Sequence, residues 1–68
     1  MYKITAKHHT TYLMKIKELL AQIPSEEKEV CLNLTSDYWS TLVACELGKL
    51  GFTLTSIVTI DNLVVFKR

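Results

Sequence analysis

The spacing of apolar residues changes period repeatedly along this chain, and each change marks where one kind of secondary structure must give way to another. Tyr2, Ile4 and Ala6 alternate with Lys3, Thr5 and Lys7, which predicts a half-buried strand over residues 2–7. From Thr11 the spacing becomes three and four. Tyr12, Leu13, Ile16, Leu19, Leu20 and Ile23 fall on one helical face, with Lys15, Lys17, Glu18 and Gln22 opposite. Thr10 or Thr11 is the expected N-cap, and Pro24 ends the helix because it cannot continue one.

After a charged loop over residues 25–29, Val30, Leu32 and Leu34 alternate with Cys31, Asn33 and Thr35, a second strand. Ser36 or Asp37 caps a second helix carrying Trp39, Leu42, Val43, Leu47 and Leu50, and Gly51 is its natural stop. Residues 52–60 return to period two and are rich in Thr, Ile and Val, which fit a pleated surface. Asp61 and Asn62 both tolerate positive φ and are expected to form a two-residue hairpin turn, so that residues 63–68 pair back as the last strand. The order is strand–helix–strand–helix–strand–strand. It predicts an α+β two-layer sandwich, with two helices on one face of a mixed four-stranded sheet.

A two-residue turn sets a register of Ile60 with Leu63, Thr59 with Val64, Val58 with Val65 and Ile57 with Phe66. With Phe52, Leu54, Val58 and Ile60 toward the helices, Ile57, Val64 and Phe66 fall on the open sheet face beside Cys31 and Asn33. Three large apolar side chains on an uncovered face predict self-association, or docking of another protein, through it.

Length and charge narrow the classes. Residues 1–68 make a single domain, and a hydrophobic fraction of 49% with mean hydropathy of +0.18 supplies a core and some apolar excess. A net charge of +1 lacks the basic excess of a dedicated nucleic-acid coat, so any nucleic-acid binding is expected to be weak. Two cysteines, Cys31 and Cys45, give neither a disulfide framework nor a metal-ligand spacing, which predicts a reducing compartment. Residues 1–9 contain no apolar run of the signal-peptide kind, and every apolar stretch is short of the ~20 residues of a membrane helix. The expectation is a cytoplasmic protein without membrane association. With Gly48 and Gly51 its only glycines, no phosphate-cradling loop can be built, and no cofactor is expected.

Residues 35–68 read Thr35-Ser36-Asp37, a helix ending in Ala44-Cys45-Glu46-Leu47, then Leu50-Gly51-Phe52-Thr53-Leu54, Asp61-Asn62, and the basic-ended Val64-Val65-Phe66-Lys67-Arg68. This arrangement resembles the SirA/TusA-like sulfur-carrier family. The resemblance implies a mixed sheet with the last strand central, which suits a strand apolar on both faces. The family's working part is a Cys-Pro-x-Pro motif opening the first helix, where the helix N-terminus favours a thiolate. At the matching position this chain reads Lys7-His8-His9-Thr10-Thr11, with neither cysteine nor proline. No catalytic residue is carried over. The same element order is used by Alba-like nucleic-acid-binding proteins and by the C-terminal domain of a translation initiation factor, so fold alone does not choose among functions.

Four groups of residues are candidate sites. Lys7, His8 and His9 stand where a helix begins, a place suited to an anion or a metal, or else form an exposed polar turn. Cys31 and Cys45 are possible thiol sites or small hydrophobes without a basic neighbour. Glu46 falls inside the apolar stripe of the second helix, as a buried carboxylate or one reaching solvent around the rim. Ile57, Val64 and Phe66 are the self-association face. The leading functional expectation is a non-catalytic binding or assembly module without thiol chemistry, which places the chain on the side of no enzyme. The alternatives are an Alba-like nucleic-acid module using Lys3, Lys7, His8, His9, Lys67 and Arg68, and a sulfur carrier with its thiol relocated to Cys31 or Cys45.

Overall fold

A computed structural model describes residues 1–12, 15–33, 37–58 and 60–68. Its elements are β1 (Tyr2–Ile4), α1 (Ala6–Thr11), α2 (Ile16–Ala21), β2 (Glu29–Asn33), α3 (Asp37–Lys49), β3 (Thr53–Val58) and β4 (Leu63–Lys67). The sheet is mixed and four-stranded in the order β1-β2-β4-β3, with β1 parallel to β2 and β4 antiparallel to both its neighbours. The expected α+β sandwich, with the last strand inside the sheet, is the observed fold.

The first strand is shorter than its alternation predicts. It stops at Ile4 because Thr5 becomes a helix N-cap in extended conformation. The Thr5 backbone N–H donates to His8 Nδ1 at 3.1 Å, while the His8 backbone N–H donates to the Thr5 carbonyl at 3.0 Å. His8 thus fills the place that Glu or Gln takes in a capping box. The helix therefore starts ahead of Thr10 and Thr11, which form the last turn of α1 and are not N-caps.

The single helix expected through Ile23 is two short ones. Two consecutive threonines and a tyrosine are weak helix formers, and Tyr12 leaves helical geometry at φ −117, ψ 29. The apolar face survives the interruption: Leu19 and Leu20 are buried, with Tyr12, Ile16 and Ile23 packed partly against the core. The expectations for Leu13, Leu34, Thr35 and Ser36 lie outside the described residues.

On α3 the buried apolar side chains are Trp39, Val43 and Leu47, four residues apart, whereas Leu42, and Leu50 just past the helix end, remain exposed. The helix ends as its glycine predicts. Gly51 takes φ +92, its N–H donates to the Gly48 carbonyl at 3.0 Å, and the Phe52 N–H donates to the Leu47 carbonyl at 3.0 Å. This pair of bonds satisfies the helix's orphan carbonyls, and the accompanying Leu47 and Phe52 side chains both join the core.

Hairpin register is the main correction. Val58 pairs with Leu63, so four positions, not two, separate the paired strands, and only Asn62 among the described non-glycine residues has positive φ. The observed pairs are Val58 with Leu63, Ile57 with Val64 and Ser56 with Val65, then Leu54 with Phe66 and Thr53 with Lys67. The jump between Leu54 and Ser56 is a bulge at Thr55, whose hydroxyl donates to the Val65 carbonyl at 3.1 Å. An extra residue flips the alternation, so Leu54 and Ile57 share one face while Val58 turns to the other.

The covered face of the sheet holds Ile4, Val30, Leu32, Val64 and Phe66, under Leu19, Leu20, Trp39, Val43 and Leu47. Directly paired residues share a face, so Val30 with Phe66 and Leu32 with Val64 carry β4's even positions inward. Val64 and Phe66, expected on the open face, belong to the core. Cys31, opposite Val65, keeps its expected place on the uncovered face.

Candidate association surface

The helix layer stops short of β3. Over that strand α3 presents Ser40, Thr41 and Ala44, side chains too small to reach across it. A groove of about 290 Å³ is left between them and Leu54, Val64 and Phe66. All six residues of β3 are exposed. Leu54 is 48% exposed, Ile57 60% and Val58 41%, with Ile60 beyond the strand at 92%. Neither the strand nor its flanks from residue 52 to residue 60 carries a charge. The result is an apolar strip along one edge of the sheet.

Of the three residues expected to form an association face, Ile57 alone is exposed. The uncovered sheet face carries other residues: Lys3, Cys31, Val65, Leu63 and Val58, crossed by a Glu29–Lys67 ion pair at 3.3 Å. Sequence reasoning missed Leu54, Val58 and the small residues of α3. The bulge did leave a readable signal. Leu54 and Ile57 are spaced by three inside a run of otherwise alternating residues, with Thr55 and Ser56 between them.

The histidines do not form a joint site. His8 is committed to the Thr5 cap and lies near the Tyr12 ring, with centroids 6.4 Å apart. His9 turns away and packs its ring on Trp39, centroid to centroid 4.8 Å with a 53° tilt. Lys7 is exposed beside them. No group of three or more His, Cys, Asp or Glu able to hold a metal ion occurs among the described residues.

The two thiols sit far apart in character. Cys31 is buried in β2 and Cys45 is exposed on α3. Glu46 is not a buried carboxylate: its side chain is 24% exposed and pairs with Lys49 at 3.2 Å, one turn along the helix. Being partly solvated and on a helix surface, such a pair contributes only a few tenths of a kcal/mol.

Basic residues named for nucleic-acid contact are largely engaged within the chain. Arg68 donates to the carbonyls of Glu27 (2.8 Å), Ser25 (3.0 Å), Pro24 and Leu50 (both 3.3 Å). Lys67 is held by Glu29. Among the described residues, no helix is long and apolar enough to cross a membrane.

Compared with protein-family models, with curated proteins and with solved structures, the chain matches none.

Proposed function

We propose that the chain is a small non-catalytic binding and assembly module, built on a SirA/TusA-like plan from which the carrier thiol has been lost. The observation that carries this reading is the apolar, uncharged strip along β3, with Leu54, Ile57 and Val58 all exposed. Single exposed hydrophobes need no explanation, but Leu54 and Ile57 share one face of an edge strand, with Leu54 lining an open groove, and such a grouping marks an interaction surface. At the place where a carrier of that family would hold its thiol, His8 caps a helix and His9 packs on Trp39. Those two side chains serve local structure and leave no nucleophile there.

The test is sulfur uptake. The protein is incubated with a low-molecular-weight persulfide donor, and intact mass and peptide mapping are read before and after. The expected result is no stable persulfide on Cys31 or Cys45. A persulfide formed quickly on Cys45 and passed on to an acceptor thiol would restore the sulfur-carrier alternative. The nucleic-acid alternative is tested by fluorescence anisotropy with single- and double-stranded oligonucleotides. Few phosphates can be neutralised by a chain whose Arg68 and Lys67 are already engaged, so any binding should be lost by physiological salt.

A further inference from the structure

We propose that β3 is the dimerisation edge, and that a second copy of this chain adds its own β3 antiparallel to it, continuing one sheet across a two-fold axis. β1 and β3 are the two edges of the sheet. An edge strand presents unpaired backbone N–H and C=O groups, and proteins normally blunt it with lysine, proline or a cover. β1 is three residues long and carries Lys3. β3 is six residues long, has no charge and no proline, and is exposed throughout.

The bulge makes β3 self-complementary. Leu54 and Ile57 lie on the helix-covered face, opposite Phe66 and Val64, while Thr53 and Val58 lie on the other, opposite Lys67 and Leu63. Antiparallel addition centred between Thr55 and Ser56 sets Leu54 against Ile57 of the second copy, and Thr53 against its Val58. Every such pair then shares a face, as cross-strand neighbours must. Four apolar side chains meet on the helix side, and the two grooves beneath Ser40, Thr41 and Ala44 join over them.

Symmetry selects the direction. A two-fold axis perpendicular to the sheet runs the second copy's β3 antiparallel to the first and keeps both helix layers on one side of the continued sheet. Size sets the strength. A six-residue strand is about 20 Å long on a molecule 17 Å thick. That contact is smaller than the ~800 Å² per copy of a standard interface, so the dimer is expected to be weak and concentration-dependent.

This inference rests on reading the chain as an assembly module, and the two fail separately. Sulfur transfer through Cys45 would overturn that reading without altering oligomeric state. A monomeric wild type would overturn the pairing without altering the thiol result. The experiment is sedimentation equilibrium of the full chain over a range from ~10 μM to ~1 mM, where weak dimers of this kind dissociate. Wild type is expected to follow a monomer–dimer equilibrium. Ile57→Glu should weaken it at least ~10-fold, because two buried like charges would face the joint. Leu50→Glu, which removes another exposed apolar side chain, from the α2–α3 side, should leave it unchanged. Amide exchange of wild-type β3 gives a second readout and should slow as concentration rises. Wild type that stays monomeric at the highest concentration, a dimer indifferent to Ile57→Glu, or β3 exchange independent of concentration would each overturn the proposal.

Discussion

The guanidinium carbon of Arg68 sits 4.3 Å from the centroid of the Phe52 ring. From that position it reaches four backbone carbonyls, at Pro24, Ser25, Glu27 and Leu50. Three of these belong to the loop between α2 and β2, and the fourth is at the end of α3. One planar side chain therefore ties the end of β4 to two chain segments, adding to the backbone bond from the Arg68 N–H to the Lys28 carbonyl at 3.0 Å. A lysine could not do this, because its compact ammonium lacks the spread of donors.

Removing that side chain has a defined cost. Arg68→Ala should destabilise the fold by about 1–2 kcal/mol, the lower part of the range for charged hydrogen bonds, since the group is solvent-exposed. For a chain this small, each kcal/mol lowers Tm by roughly 4–8 °C. Arg68→Lys should recover little of the loss. Thermal unfolding followed by circular dichroism checks both, and an alanine variant melting with wild type would remove Arg68 from the framework.

Ser40 offers the opposite case. Among the described residues, its hydroxyl and the Trp39 indole N–H are both buried without a hydrogen-bond partner. An unsatisfied buried polar group costs about 1–3 kcal/mol, and alanine is the better helix former. Ser40→Ala should accordingly raise stability by roughly 0.5–1.5 kcal/mol. Chemical denaturation at equal m-value measures it. A loss of stability would mean that the hydroxyl does find a partner in solution.

The cysteines should separate by protection. Cys45 is exposed and Cys31 buried. Under native conditions a maleimide should label Cys45 at the rate of an open peptide thiol, while Cys31 waits for the sheet to open. Peptide mapping after a short pulse distinguishes them. Equal labelling would place Cys31 on an accessible surface.

Tyr2 supplies a pH dependence. Burial first, and the neighbouring Tyr12 second, push its phenol above the ordinary value of 10.0. The folded state thus favours the protonated phenol. That contribution to stability is complete below the unfolded value and is lost as pH rises through the raised folded one. Tyr2→Phe should flatten the alkaline part of the stability–pH curve while leaving its neutral part nearly unchanged. Denaturant midpoints measured from pH 8 to pH 11 test this, and parallel curves for the two proteins would contradict it.

Strand order and element type, apart from the break after Thr11 that splits the first helix in two, were legible in the sequence because they follow from local spacing. Alternation at residues 2–4 and 30–33, the three-and-four spacing through Leu19 and Leu20, Pro24 and Gly51 as stops, and Asn62 in the turn depend on neighbours a few positions away. Which face of β4 meets the helices was a different kind of question. Val64, Val65 and Phe66 are apolar on both sides of the strand, so alternation alone assigns no inside. The decision came from two facts outside the strand: pairing with β2, which sets Val64 and Phe66 against Leu32 and Val30, and a bulge at Thr55, which puts Leu54 but not Val58 on their face. A shift of one residue exchanges the faces of a whole strand, and only pairing with distant partners sets it. Similarly, His8 became a helix cap through a local bond the spacing allowed, but His9 and Arg68 acquired their roles from Trp39 and from the carbonyls near residue 25, tens of positions away. Local periodicity settled what each segment is. Tertiary contact settled which side of it faces inward, because burial is a property of the assembled layers and not of any one of them.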